Sequence, residues 1–535
     1  MTGGEFALLA ALVLPAAGAL AVVAIPARFD RAARRTGFGF AAAALLAVVV
    51  LARHPGGQWA GYQPGPDNQP GSAAGSHLRP WHELDLTWVP GLDLRFHLGV
   101  DGISYPLVVL TALLTLLCCG HLLQWVPAPG RGRLLVALLL VIECGILGTF
   151  LALDLVLFFL FFEVVLLPMY AVIAVWGGDR KRPEAGAAAP AGSVAPAGTA
   201  ADAAPQRAAA RKFALYTLFG SVLLLVGVFT VVAAAGTADI VELTGGNALT
   251  RNTELIAFTL FALAFAVKSP LWPLHTWLPD AHTQAPTVGS VILAGVLLKM
   301  GTYGLIRIGV GVTPEGADWA APVLAALAVA AIIIGSLVCL AQVELKRLIA
   351  YSSVGHMGFV LLGVASLSVT GVEAALIGNV AHGVITALLF FLAGAIKDRA
   401  HTGSLAELGG LRERAPHLSG LLAFAAVASL GLPGLAGFWG EAFAVVAALE
   451  RGWTTLAVLA AIGGALTAAY FLRLLRRVTH GRPSAAVEPL APGLAGAELM
   501  VWGPLVLLTP AIGLVPTLVL GVATDPVRAL LDAAW

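Results

Sequence analysis

The sequence predicts an all-α polytopic membrane protein of about fourteen transmembrane helices, and three observations predict it. Of 535 residues, 59% are hydrophobic and only 11% charged, where soluble globular domains carry about 25% charge. Apolar runs of about 18 residues or more recur along the whole length, each long enough to cross roughly 30 Å of hydrocarbon as a helix. Basic residues gather on alternate loops, as the retention of Lys and Arg on the cytoplasmic side requires. Lipid tolerates no unpaired backbone group, so repeated spans of this kind form a helical bundle.

The spans fall near 6–26, 37–53, 102–124, 133–151, 153–176, 212–236, 255–274, 286–310, 320–342, 347–367, 372–396, 416–449 (interrupted), 453–476 and 499–523. The segment before Pro15 lacks a basic start and carries Glu5, so it reads as a retained first helix rather than a cleaved signal. With the N-terminus outside, 22 of the 31 Lys and Arg face inward, among them Arg28, Arg31, Arg34, Arg35 and the Arg180–Arg182 cluster. Arg53, Arg79, Arg95, Arg251, Arg307, Arg451 and Arg528 face outward, and Lys268 and Lys299 lie inside helices. That asymmetry puts both termini in the periplasm of a bacterial plasma (inner) membrane.

Two loops stand apart. Residues 54–100, rich in Pro and Gly and containing Trp81 and Trp88, read as a small folded external cap. Residues 183–210 are Ala/Pro/Gly-rich and of low complexity, a composition that cannot form a core and reads as a cytoplasmic linker. Cys118, Cys119, Cys144 and Cys339 sit in apolar runs without a CxxC pattern, so they read as small hydrophobes rather than metal or iron–sulfur ligands. No nucleotide, haem or zinc pattern is present, so no cofactor is expected on this chain. No nucleic-acid partner is expected either.

The chemistry lies in the buried charges. An ionisable group at the bilayer centre costs roughly 2.5–3.5 kcal/mol on insertion scales, so each one needs a reason. Glu163 lies nine residues past Asp154, roughly 13–14 Å into its helix. Lys268, Lys299 and Glu441 fall at comparable depth on three other helices. His356 and His382 occupy neighbouring spans, and His275 and His282 follow Lys268. Imidazole donates and accepts a proton near neutral pH, which suits a relay, although each His also reads as a structural hydrogen-bonder. Glu143, in the fourth helix, is a further candidate. For Glu163 and Lys268 the plain alternative is a static ion pair joining two helices. A carboxylate that moves relative to a buried lysine instead changes how tightly the lysine holds its proton, which is what a pump step requires.

Two helices read as broken at similar depth. The run 268–279, KSPLWPLHTWLP, contains Pro270 and Pro273, and 430–441, LGLPGLAGFWGE, contains Pro433 and several glycines. Pro and Gly free backbone groups that must face protein or a cavity. Paired breaks in corresponding halves are the sign of inverted-repeat transporters. The division follows as 1–132 (three helices and the external loop), 133–311 and 312–478 (two inverted five-helix repeats, each a half-channel) and 479–535 (the last helix).

At these motifs the chain resembles a known family. LGVDGIS (98–104), LDLVLFFLFFEVVLLPMY (153–170), the run 264–305, RLIAYSSVGHMGFV (347–360) and LPGLAGFWGE (432–441) resemble the antiporter-like membrane subunits of respiratory complex I, the NADH:quinone oxidoreductase. The resemblance covers about residues 95–475. It is best to the M-type branch, because Glu441 stands where the L-type and N-type relatives and the cation/proton antiporter subunits look like they carry Lys. The resemblance implies that Glu163 and Lys268 form a charge-coupling pair, Lys299 is the central lysine, His356 and His382 connect the halves, and Glu441 is the terminal carboxylate. It implies neighbouring L-type and N-type chains as partners. It also implies that NAD, FMN, iron–sulfur clusters and quinone reside on other subunits. The competing readings are a subunit of a cation/proton antiporter, a membrane-bound hydrogenase or formate-linked complex, and a purely structural spacer.

Overall fold

The computed structural model describes residues 2–53, 80–89, 94–178, 204–245 and 248–535. The chain opens with α1 (Gly3–Ala24) and α2 (Asp30–Val50), followed by an antiparallel hairpin, β1 (His82–Val89) and β2 (Leu94–Val100). Next come α3 (Tyr105–Gln124), α4 (Gly132–Leu151), α5 (Leu155–Val164), α6 (Leu166–Trp176), α7 (Ala204–Ala235), the short α8 (Ile240–Leu243), α9 (Arg251–Lys268) and α10 (Trp277–Gln284). One continuous helical run then holds α11 (Thr287–Ile292) and α12 (Lys299–Gly304), with π-helical turns at Leu293–Leu297 and Leu305–Val310. Helices α13 (Pro314–Ala341), α14 (Leu345–Ala365), α15 (Val369–Ala400), α16 (Leu411–Arg414), α17 (Pro416–Ser429), α18 (Gly437–Glu450), α19 (Thr454–Thr479), α20 (Gly496–Leu514) and α21 (Thr517–Ala534) complete it.

Among the described residues twelve helical runs are long and apolar enough to cross a membrane. The pairs α9–α10 and α17–α18 supply two more in pieces, so the expected fourteen spans stand. The chain is a multi-pass membrane protein. Where helices begin, side chains satisfy the free amides. Thr2 and Glu5 form a capping box, Asp154 accepts from the amides of Val156 and Leu157, and Ser368 caps α15, each such cap contributing about 1 kcal/mol.

Several expected boundaries move. Helix α2 starts at Asp30 rather than 37, because Arg34 reaches from inside it to the carbonyl of Leu123 at 3.0 Å and to Asp30 at 2.9 Å. Helix α7 starts at Ala204, so Ala-rich sequence assigned to the linker is helical from there. The rest of that segment, up to residue 203, lies outside the described residues. The seventh span does not run unbroken to 274. It stops at Lys268 and resumes as α10. The last apolar run, expected as one helix over 499–523, breaks at Val515–Pro516. The helix beyond it, α21, crosses the face bearing the termini. Its Thr524 donates to Glu373 at the start of α15 at 2.5 Å. Val522 lies against Gly102, Leu530 against Gly311 and Ala533 near Gly245.

Arg307, counted in the outward set near the end of the eighth span, sits in the second π-turn, 3% exposed, and bonds Asp101. Its guanidinium also donates to Tyr303 at 3.3 Å, whose hydroxyl donates to the Phe150 carbonyl at 3.0 Å. Its acidic partner lies far upstream in sequence, so the pairing leaves no sign in the span itself.

The external cap is folded where it is described. The hairpin docks on the bundle by a backbone bond from Leu153 to His97 at 2.9 Å, and Leu153 in turn accepts from Ile240 at 2.8 Å. His97 clamps it further, donating from Nδ1 to Asp239 and from Nε2 to Glu83, both at 2.7 Å. Burial alone would lower the His97 pKa, but the hydrogen bonds and charges of Asp239 and Glu83 outweigh it and raise it to about 9. A raised histidine stabilises fully below its unfolded value of 6.5, and that contribution disappears as pH climbs through about 9. We therefore expect the thermal stability of the detergent-purified protein to fall between pH 7 and 10, and His97→Gln to flatten that dependence. Melting followed by tryptophan fluorescence across that range measures it.

Candidate functional site

The run Thr287–Val310 is the most enclosed of the spans, with its whole window buried. Its first π-turn loosens the backbone one turn before Lys299. The Lys299 ammonium donates to the freed Ala294 carbonyl and to Nδ1 of His382, the latter at 2.7 Å. Lys299 is fully buried. π-Turns of this kind open helical carbonyls to side chains.

Glycine explains why α15 comes so close. A Cβ on Gly383 would stand 2.7 Å from the Gly295 carbonyl oxygen, and one on Gly440 would stand 2.6 Å from the Gly378 Cα. Small residues at helix crossings let membrane helices approach to backbone contact. The first crossing sets His382, next to Gly383, on Lys299. The second sets Glu441, next to Gly440, beside α15 and α14.

Beyond His382 lies a cavity lined by His356, His382, Thr386, Ser429 and Glu441. Its volume of about 30 Å³ is enough for one or two waters. The two imidazole centroids are 5.9 Å apart across it. Nε2 of His382 has no protein partner. On the far side His356 Nδ1 meets Glu441 Oε1 at 2.8 Å, and Ser429 Oγ meets His356 Nε2 at 2.9 Å. Four of the sequence-predicted residues thus form one line, Lys299–His382–His356–Glu441, running from the eighth span to the second helix break.

Glu163 and Lys268 are neighbours without touching. Lys268 ends α9, and its ammonium lies 4.4 Å over the ring of Phe162, a cation–π contact in place of an ion pair. The static ion pair weighed as an alternative is absent among the described residues. Glu163 is half-buried one residue before the end of α5, where Val165 interrupts the span. The backbone of α9 meets the eighth span at Gly301, whose Cβ would stand 3.0 Å from that of Lys268. The first break therefore adjoins the Lys299 region.

The other candidates lie off this line. His275 sits in the break between α9 and α10, 6.2 Å from the ring of Tyr351, with Nδ1 unbonded. His282 stacks on Phe390 at 4.6 Å, and neither ring nitrogen has a partner. Glu143 is fully buried in α4 with both carboxyl oxygens unpaired. Sequence reasoning missed Ser429, although it stands immediately before the LGLPG run that marks the break. It also missed the bond from Thr302 to Asn379 at 3.0 Å, which fixes α12 to α15 one turn from His382.

The family described as NADH:quinone oxidoreductase/Mrp antiporter, transmembrane, matches residues 152–191 and 197–467. NADH-quinone oxidoreductase subunit M of Rhodobacter capsulatus is 40% identical over 447 residues, covering 81% of each chain. A NAD(P)H-quinone oxidoreductase chain 4 of Trichormus variabilis is 36% identical over 526 residues, covering 96% of this chain and 89% of its own. A chain of respiratory complex I from Thermus thermophilus superposes with a TM-score of 0.81 at 28% identity, over 99% of this chain and 100% of its own. A chain of the Mrp complex from a Dietzia species shares the fold, with a TM-score of 0.77 at 23% identity over 99% and 98% of the two chains.

The glycine crossings carry a consequence for the line of groups. Gly383→Val forces α15 off the Gly295 carbonyl, and overpacking of this kind costs about 1–3 kcal/mol. We expect a lower melting temperature for the purified protein, while Gly39→Val, at a position with nothing within 4 Å of its would-be Cβ, leaves it unchanged.

Proposed function

The chain belongs to the NADH:quinone oxidoreductase/Mrp antiporter transmembrane family, and we propose that it is the proton-translocating M-type membrane subunit of an NADH:quinone oxidoreductase. The observation that carries this is the buried line Lys299–His382–His356–Glu441, continuous except for a water-sized cavity. An ammonium and two imidazoles with no carboxylate until the far end are costly in lipid and are suited to passing a proton rather than fixing a helix.

In this reading Lys299 takes a proton from the inner side and passes it to His382. It crosses the cavity to His356 and then to Glu441, which releases it on the outer side. The Phe162 ring and Glu163 share the region of Lys268, so a shift of the carboxylate alters the field that Lys268, and through it Lys299, experiences. Glu143 and His275 are proposed as further carriers feeding this line. The two breaks, after α9 and after α17, support two inverted repeats over 133–311 and 312–478 acting as half-channels. The 22 inward basic residues support an orientation with both termini periplasmic in a bacterial plasma membrane. The expected partners are the L-type and N-type antiporter-like subunits, with NAD, FMN, iron–sulfur clusters and quinone on other subunits of the enzyme.

The test begins with affinity capture from mild-detergent membranes, mass spectrometry of partners and an NADH-oxidation stain on a native gel. We expect co-migration with NADH-oxidising activity and quinone-reductase subunits. Capture with small membrane subunits alone would instead assign the chain to a cation/proton antiporter. In the assembled complex, Glu163→Gln and Lys268→Ala are expected to lower NADH-driven proton uptake into inverted vesicles at least about tenfold. Native pumping by an assembled variant would refute the mechanism.

A further inference from the structure

We propose that Ser429 is a proton-relay residue of the proton path. Its hydroxyl is the group through which a proton crossing the cavity reaches His356. This inference rests on the proton-translocating reading above.

The two imidazoles are each committed on one side. His382 Nδ1 is held by the Lys299 ammonium and His356 Nδ1 by the Glu441 carboxylate, at 2.7 and 2.8 Å. Transfer between the rings therefore runs from Nε2 to Nε2. The His382 Nε2 is unpartnered, but the His356 Nε2 is occupied by Ser429 Oγ at 2.9 Å. Ser429 is 4% exposed and lines the same cavity as both rings. A proton arriving from His382 meets the hydroxyl before the imidazole.

A hydroxyl both donates and accepts, so one side chain serves both states of His356. With His356 neutral and carrying its proton on Nδ1, Ser429 donates to Nε2. When Lys299 gives a proton to His382 Nδ1, the Nε2–H of His382, closed off in this structure, passes to water once the ring turns Nε2 into the cavity it lines. Water hands a proton to Ser429 Oγ, and the existing Oγ–H bond breaks as Nε2–H forms on His356. The Nδ1 proton then moves to Glu441 Oε1. One proton has moved from Lys299, left as the neutral amine, to Glu441, left as the neutral acid; both imidazoles and Ser429 end neutral, and no electron is transferred. Reset requires the imidazole of each ring to return to its starting tautomer.

The position of Ser429 ties this step to the backbone. It is the last residue of α17, and the break of residues 430–436 follows. Glu441 lies in the next helical piece, α18, and Gly431, with φ of +71°, sits with its would-be Cβ 2.9 Å from Glu441 Oε2. The two groups on either side of His356 thus belong to opposite halves of one broken helix. A change at the break moves the hydroxyl and the carboxylate relative to each other, opening or closing the contact at Nε2.

The experiment uses the intact complex in inverted membrane vesicles, with NADH-driven proton uptake followed by a pH-sensitive dye in H₂O and D₂O. Ser429→Ala should lower the pumping rate roughly fivefold, the factor that loss of one ordinary hydrogen bond produces, and enlarge the solvent isotope effect. Ser429→Thr, which keeps the hydroxyl, should return both to within about twofold of native. Ser429→Cys keeps the volume with a weaker donor and should behave like Ala, so a failure of the Ala variant to assemble leaves the same reading available. A role limited to ending α17 would leave the isotope effect unchanged. Glu441→Gln separates the two levels of inference. Native pumping by Glu441→Gln overturns the proton-line reading itself. Loss of pumping there, with native rate and isotope effect in Ser429→Ala, overturns the role of Ser429 alone.

Discussion

The rest of the structure depends on how a lysine is held in hydrocarbon without an acid. Lys299 is enclosed on all sides, and its partners are a backbone carbonyl and an imidazole. A carboxylate there would neutralise the cation and fix the proton. A carbonyl and an imidazole instead solvate it just enough to keep it in place. Everything around it serves that arrangement. The π-turn frees the carbonyl, Gly295 and Gly383 bring α15 to backbone contact, and Thr302 on Asn379 keeps the two helices in register. The cavity beside this line is bordered by His382, His356, Ser429 and Glu441, so these are the groups placed to exchange protons through it.

Much of this was legible in the sequence, for a physical reason. A charge inside an apolar run costs several kcal/mol, so Lys268, Lys299, Glu163 and Glu441 stand out against Leu, Val and Ala without any structural knowledge. Prolines and glycines at the two breaks stand out in the same way, and both breaks are where the sequence placed them. What remained hidden is what single positions cannot encode. The pairing of Arg307 with Asp101 joins residues 206 positions apart. A π-turn leaves no compositional trace in a run such as LAGVL. Ser429 is one small residue among many. The reorientation after Pro516 is equally silent, since α20 tolerates Pro504 and Pro510 within its length.

The placement of Glu163 beside Lys268 shows the limit of reading charges in pairs. Opposite charges at matching depth suggest a salt bridge, yet the ammonium rests on the Phe162 ring and the carboxylate stands to one side. An aromatic face attracts a cation without binding it stoichiometrically to an anion. The lysine therefore stays responsive to a carboxylate that is close but unbonded, whereas a formed bridge would resist any change in either partner.

Helix α21 has a mechanical implication. It lies across the ends of the spans on the face bearing the termini, touching the loop before α3, the start of α15, the end of the eighth span and the turn after α8. It acts as a tie-beam over both halves of the bundle. Helices pinned at one end pivot there, like levers with a fixed fulcrum, so a given rotation produces its largest displacement at the opposite face. Small adjustments at the tied face are thereby geometrically amplified toward the face opposite the termini.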